Sequence, residues 1–159
     1  MREPLALSAR DSDATEAFGA RLARALPDVS AAPAVAFLKG DLGSGKTTLA
    51  RGFLRALGVR DTVRSPTYTL LERYDTQAAT VVHLDLYRLR SAAELDALGV
   101  AELHRAGHVW LVEWPERGEG RLPDPDAIVE LRAGARSHEI QVVARTLLGD
   151  EWVRVLRKG

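Results

Sequence analysis

An α/β fold, with a mostly parallel central sheet flanked by helices, is predicted by three features of this sequence. Short runs at 34–38 (AVAFL) and 109–112 (VWLV) are wholly apolar, and 80–85 (TVVHLD) has an apolar centre, as strands covered on both faces do. Segments of helical periodicity separate them, and strands alternating with helices favour a parallel sheet. Late in the chain, runs at 127–132 and 138–143 flank a turn containing Gly134, which predicts an antiparallel hairpin toward the C-terminus. The length of 159 residues predicts one domain, 1–159.

The elements follow in order. Asp11, Ser12 and Asp13 offer helix caps, with Glu16 three residues beyond Asp13 in capping-box spacing. Phe18, Leu22 and Leu26 then recur at helical intervals up to Pro27. The strand at 34–38 leads into a glycine-bearing loop, 40–48. A helix over 49–57 carries Leu49, Phe53, Leu54 and Leu57 on one face, with Gly58 as its stop. Residues 67–74 have strand-like composition, and 80–85 is a second strand. Ser91 and Glu94 have capping-box spacing for a helix through Leu95 and Leu98. After the strand at 109–112, the Pro- and Gly-rich stretch 115–126 is a loop. A final helix over 150–158 carries Trp152, Val155 and Leu156.

Composition removes several classes of function. Hydrophobic residues are 46% and charged residues 28%, which is ordinary globular usage and sets disorder aside. Lys plus Arg (22) balance Asp plus Glu (22), so no global field draws nucleic acid. There is no cysteine, hence no disulfide or thiolate metal site, and a reducing compartment fits. Residues 1–9 lack the apolar core of a secretory signal, and no run is long enough to span a membrane. The expected location is the cytoplasm.

Residues 40–47 read GDLGSGKT and fill the template G-x-x-x-x-G-K-[ST] at every fixed position, between a strand and a helix. That context is what phosphate binding needs. Main-chain N–H groups and a helix N-terminus converge on one point, where the helix dipole favours an anion. Gly43 and Gly45 let the main chain approach the phosphates. Lys46 supplies a charge to the β- and γ-phosphates, and the Thr47 hydroxyl is suited to ligate magnesium. The chain therefore reads as a phosphate-binding-loop (P-loop, Walker A) nucleotide-binding protein. It contains no Asn, so the Asn-Lys-x-Asp guanine reader is absent, which favours ATP over GTP.

Magnesium also calls for a carboxylate at the end of a neighbouring strand. Asp85 and Glu113 both qualify. The uninterrupted VWLV run favours Glu113 as the closer ligand, with Asp85 behind it or orienting the attacking water. Ser65-Pro66-Thr67-Tyr68 lies between loop and acids and reads either as an ordinary turn entering a strand or as a switch segment whose hydroxyls sense the γ-phosphate. His83 reads as structural, and Arg88 either as an ordinary exposed arginine or as a candidate for transition-state charge or a partner's phosphate. Trp110 and Trp114 read as packing residues, Trp114 also as a wall of a nucleotide or partner surface.

Taken together, GDLGSGKTT, SPTYTL, HLDLYRL and VEWPERGEG, in this order, resemble the TsaE/YjeE family, the bacterial ATPase component of tRNA threonylcarbamoyladenosine synthesis. The resemblance runs from about residue 38 to 123. It implies one α/β P-loop domain binding ATP and Mg2+, hydrolysing weakly alone and acting in a complex with the TsaB and TsaD proteins. That complex transfers a threonylcarbamoyl group to the tRNA adenosine next to the anticodon. Carried over by position, Thr47 and Glu113 hold magnesium, with Asp85 as a further metal-site residue. Asp41, Leu42, Gly43, Ser44, Gly45, Lys46, Thr47 and Thr48 wrap the phosphates. Ser65, Thr67 and Asp85 respond to the γ-phosphate. Ser12 to Thr15, in an N-terminal segment that covers the nucleotide, touch it. Lys46, Thr67, Asp85 and Glu113 form the expected catalytic set. Contact with tRNA is expected to be indirect or weak, contact with membranes absent, and the chain alone a monomer or weakly self-associating. Two alternatives share the loop: a small-molecule kinase, with Arg117 and Arg121 imitating a lid, and a non-hydrolysing nucleotide-dependent interaction module.

Overall fold

The most apolar strands take the centre of the sheet because only there are both faces covered. The computed structural model describes residues 2–63 and 65–159. Strand β5 (His108–Glu113) is buried at every position. It lies between β2 (Ala34–Lys39) and β4 (Thr80–Asp85), parallel to both. Strand β6 (Ala127–Ala133) runs parallel to β2 on its other side. Antiparallel strands finish the edges. These are β3 (Leu71–Asp75) on β4, β7 (His138–Ala144) on β6, and β1 (Leu5–Ala9) on β7. The order is β1-β7-β6-β2-β5-β4-β3.

Alternation along the strands feeds two cores. On one face Ala36, Leu38, Val109 and Leu111 meet Phe18, Leu22, Leu49, Phe53, Trp152 and Leu156. Those come from α1 (Ser12–Arg24), α2 (Lys46–Ala56) and α4 (Leu147–Lys158). On the other face Val35, Val82, Trp110 and Val112 pack with Leu95 and Val100, from α3 (Ala93–Ala97) and the 3-10 turn after it. Burying each large apolar side chain contributes about 1.5–3 kcal/mol. Both buried indoles satisfy their N–H: Trp110 donates to the Leu103 carbonyl and Trp152 to the Leu22 carbonyl, each at 2.9 Å. No helix among the described residues is long and apolar enough to cross a membrane.

Several local expectations need correction. Residues 67–70 form a turn, with Leu70 at φ 67°, so β3 begins only at Leu71. The cap of α1 is Asp11, which accepts from the Ala14 N–H, while Glu16 instead pairs with Arg55. Glu94 bonds the Arg90 N–H rather than closing a box with Ser91, and α3 is a single short turn. Helix α4 starts at Leu147, capped by Thr146, and leaves Val155 exposed. A 3-10 turn (Pro115–Gly118) interrupts the loop at 115–126. Strand β1 has no forecast counterpart.

Candidate functional site

The register of the parallel strands gathers the site. Asp85 and Glu113 are paired neighbours at the C-terminal ends of β4 and β5, and Leu38 of β2 pairs with Glu113 on its other side. In open α/β sheets, ligands bind beyond these carboxyl ends. There the chain leaves β2 at Lys39, curls through 40–45 and enters α2 at Lys46. Gly45 precedes the helix at φ 106°. Few side-chain-bearing residues adopt that angle, and a Cβ here would also stand 3.1 Å from His138 Nδ1. The Leu49 N–H is the first to close onto the Gly45 carbonyl, at 2.9 Å. The N–H groups of Lys46, Thr47 and Thr48 therefore remain for an outside acceptor.

Lys46 is buried. Its ammonium donates to the carbonyls of Gly40 (2.5 Å) and Asp41 (2.8 Å) and lies 4.5 Å from the Trp114 ring centroid. Burial holds it below the ordinary lysine range, against the opposing pull of Glu113, Asp85, Glu116 and Asp41. The Thr47 hydroxyl donates to both Glu113 carboxylate oxygens, at 3.0 and 3.2 Å. Behind Glu113 stands His83, fully buried, with Nε2 2.7 Å from Glu113 Oε2. A deprotonated carboxylate there makes Nε2 the donor. His83 Nδ1 has no partner among the described residues. Asp85 Oδ2 accepts from the hydroxyls of Ser65 and Thr67, the latter at 3.0 Å, and Oδ1 accepts from the Tyr87 N–H at 3.0 Å.

These groups border a cavity of about 410 Å³. It is lined by Ser12, Leu42, Gly43, Gly45, Lys46, Thr47 and Thr48 from the N-terminal part of the chain, by Ser65, Thr67, Asp85, Tyr87, Glu113 and Trp114, and by His138. The sequence-derived set is thus largely brought together, with three exceptions. Thr15 is fully buried and does not line the cavity, because its hydroxyl contacts the Asp11 carbonyl and His138 Nδ1, both at 3.3 Å. Ser44 is buried beside Lys46, 3.4 Å from its ammonium, and Asp41 offers Lys46 its carbonyl.

Tyr87 and His138 were missed as lining residues. Adjacency to Asp85 was the available signal for Tyr87. None existed for His138, which β7 carries in from the far end of the chain. His83 is structural in a specific sense, since it holds Glu113. Trp110 packs in the core, whereas Trp114, at φ 58°, turns its ring to the cavity. Neither arginine of the imagined lid lines the cavity: Arg121 pairs with Asp96 at 3.1 Å, and Arg117 lies over the Tyr87 ring at 5.2 Å.

Comparison with known proteins gives a consistent family. Residues 9–142 match the model of the threonylcarbamoyl adenosine biosynthesis protein TsaE. The tRNA threonylcarbamoyladenosine biosynthesis protein TsaE of Haemophilus influenzae is 39% identical over 133 residues, covering 83% of this chain and 84% of that one. Its namesake in Treponema pallidum is 33% identical, covering 85% and 96%. The crystal structure of Bacillus subtilis YdiB superimposes with a TM-score of 0.78 at 28% identity, covering 99% of this chain and 97% of that one.

Proposed function

The chain belongs to the TsaE family, and from that premise we propose that it binds ATP with Mg2+ and hydrolyses it in support of tRNA threonylcarbamoyladenosine synthesis. Its relatives are named for that biosynthesis. We assign it the same pathway, acting with the TsaB and TsaD proteins in the cytoplasm. The observation that carries the reading is the Thr47–Glu113 contact at 3.0 Å, at the mouth of the glycine loop. A hydroxyl and a carboxylate from two elements meet where a phosphate-bound ion would sit.

The donor set fits magnesium. Among the described residues no group of three or more His, Cys, Asp or Glu side chains is arranged for a metal, and a Mg2+ carried on phosphates needs only one or two protein oxygens. Thr47 and Glu113 would hold it, with Asp85 nearby. Bound there, the ion supplies charge neutralisation to the phosphates.

The chain's own groups do the rest. The free N–H groups at the start of α2 and the Lys46 ammonium bind the phosphates. For this Lys46 exchanges the carbonyls of Gly40 and Asp41 for phosphate oxygens, and its partly desolvated charge is restored by an anion. His83 donates from Nε2 and fixes the rotamer of Glu113. Asp85 holds the hydroxyls of Ser65 and Thr67 beside the γ-phosphate end, where its carboxylate orients the attacking water. Trp114 and Tyr87 wall the cavity and limit solvent.

The test is phosphate release from MgATP by the purified chain, alone and with TsaB and TsaD. Formation of modified adenosine in tRNA is followed in the same mixture. Hydrolysis that is weak alone, raised by the pair, and lost with modification in Lys46→Ala is expected. Modification at full yield with Lys46→Ala would refute the proposal.

A further inference from the structure

Beside the nucleotide site lies a second cleft of about 550 Å³, which shares Thr67 and Tyr87 with it. Its lining is cationic. Arg88, Arg90 and Arg117 line it against a single carboxylate, Glu94, one oxygen of which already accepts from the Arg90 N–H at 3.0 Å. All three arginines are exposed, and among the described residues none enters an ion pair. Two are held by rings: Arg88 lies 4.7 Å from the centroid of Tyr68, and Arg117 lies 5.2 Å from that of Tyr87. Stacking fixes a guanidinium plane while leaving its N–H edge to take a carboxylate in two parallel bonds. Tyr68 itself is 83% exposed, a large ring at the cleft edge that needs covering.

Arginines beside aromatics also suit nucleic acid, but two observations favour protein. Each tyrosine ring already carries a guanidinium on one face, which leaves less ring for bases to stack on. The chain's formal net charge is zero, so it has no field to gather a polyanion. Short carboxylate-bearing segments need only the local cluster.

The cleft is also fastened to the nucleotide site through one side chain. Asp85 accepts from Thr67 and from the Tyr87 N–H, both of which line the cleft as well as the nucleotide cavity, and from Ser65 of the nucleotide cavity. Its own N–H donates to the Leu70 carbonyl at 3.0 Å. A shift of Asp85 therefore moves residues shared by the cavity and the cleft.

We propose that this cleft docks an acidic segment of a partner protein, and that Asp85 couples its occupancy to the nucleotide; the coupling rests on the ATP reading above. The experiment is an NMR titration of the isotope-labelled chain with hexaglutamate peptide and, separately, hexauridylate RNA, each with and without MgATP. Hexaglutamate is expected to shift the signals of Tyr68, Tyr87, Arg88, Arg90 and Arg117. Its affinity should fall about fivefold in R90E, and more weakly in R90Q, while MgATP affinity in both variants stays at the wild-type value. It should also change about threefold or more on adding MgATP.

Shifts spread evenly over the surface would overturn the proposal, as would a preference for hexauridylate, or MgATP affinity lost in the folded variants. Equal peptide affinity with and without MgATP would overturn the coupling. A wild-type chain that takes the peptide in this cleft but binds no MgATP would sustain the dock and remove the ATP reading instead.

Discussion

Replacing Gly52 by Ala tests how the phosphate-facing loop is held in place. Gly52 lies on α2 where α1 crosses it, and a Cβ there would stand 1.9 Å from the Glu16 carbonyl oxygen and 2.7 Å from its carbon. Gly19 on α1 has the mirror problem, with a Cβ 2.0 Å from the Leu49 oxygen. The obstacle in both cases is backbone, so no side chain can swing aside. To reach even 3.0 Å, the closest approach real Cβ atoms show, the helices must part by 1.1 Å at Gly52. Overpacking of this kind costs about 3 kcal/mol or somewhat more. Alanine returns about 1 kcal/mol of helix propensity. The net expectation is a loss of about 2 kcal/mol, from a stability that for a domain is about 5–15 kcal/mol. Urea unfolding followed by circular dichroism measures it as a lowered midpoint with unchanged slope. The sign discriminates, because the same change on an uncrowded helix would stabilise. Helix α2 begins at Lys46, so the displacement also moves Lys46 and Thr47 against Glu113, and ATP affinity falls in step. A Gly52→Ala chain as stable as wild type would refute this picture of the helix crossing.

Other perturbations have defined outcomes. Thr146 accepts from the Gly149 N–H to cap α4 and donates to Asp126 at 2.6 Å, whose other oxygen holds the Val35 N–H; Thr146→Ala should cost about 1–2 kcal/mol, read as a fall of several degrees in Tm. His83→Leu removes the donor behind Glu113, so the magnesium needed for half-maximal ATP binding should rise about tenfold or more; an unmoved midpoint would make His83 a packing residue only. The folded pKa of Lys46 lies below the unfolded value near 10.5. Between the two the unfolded chain binds more protons, so unfolding free energy gains a contribution that rises with pH through that window. Urea midpoints from neutral to alkaline pH should show this rise in wild type relative to Lys46→Met, and parallel curves would contradict it.

The central strands were legible because burial on both faces forces continuous apolar sequence, and 80–85 reads the same in sequence and structure. The glycine loop was legible because its backbone demands specific residues. The edges were harder. Strand β1, LALSA, is half exposed and too short for its alternation to stand out. The stretch 67–70 has strand-like residues, yet the Leu70 N–H bonds back to the Pro66 carbonyl at 2.7 Å and closes a turn. At the site, residues next to a motif were readable, whereas His138 was not, since only sheet pairing across the whole chain brings it to the loop. Thr15 failed for a related reason. Position in the N-terminal segment suggested proximity to a nucleotide, but its side chain faces inward under His138.

The central claim is that Thr47 and Glu113 hold a divalent ion for a triphosphate seated on the loop. Calorimetric titration of ATP into wild type and Glu113→Gln across a magnesium series tests it directly. Magnesium-dependent binding in wild type, shifted to roughly tenfold higher magnesium in the variant, is the expected result. Superimposable magnesium curves, or no ATP binding by wild type at any magnesium concentration, would contradict it.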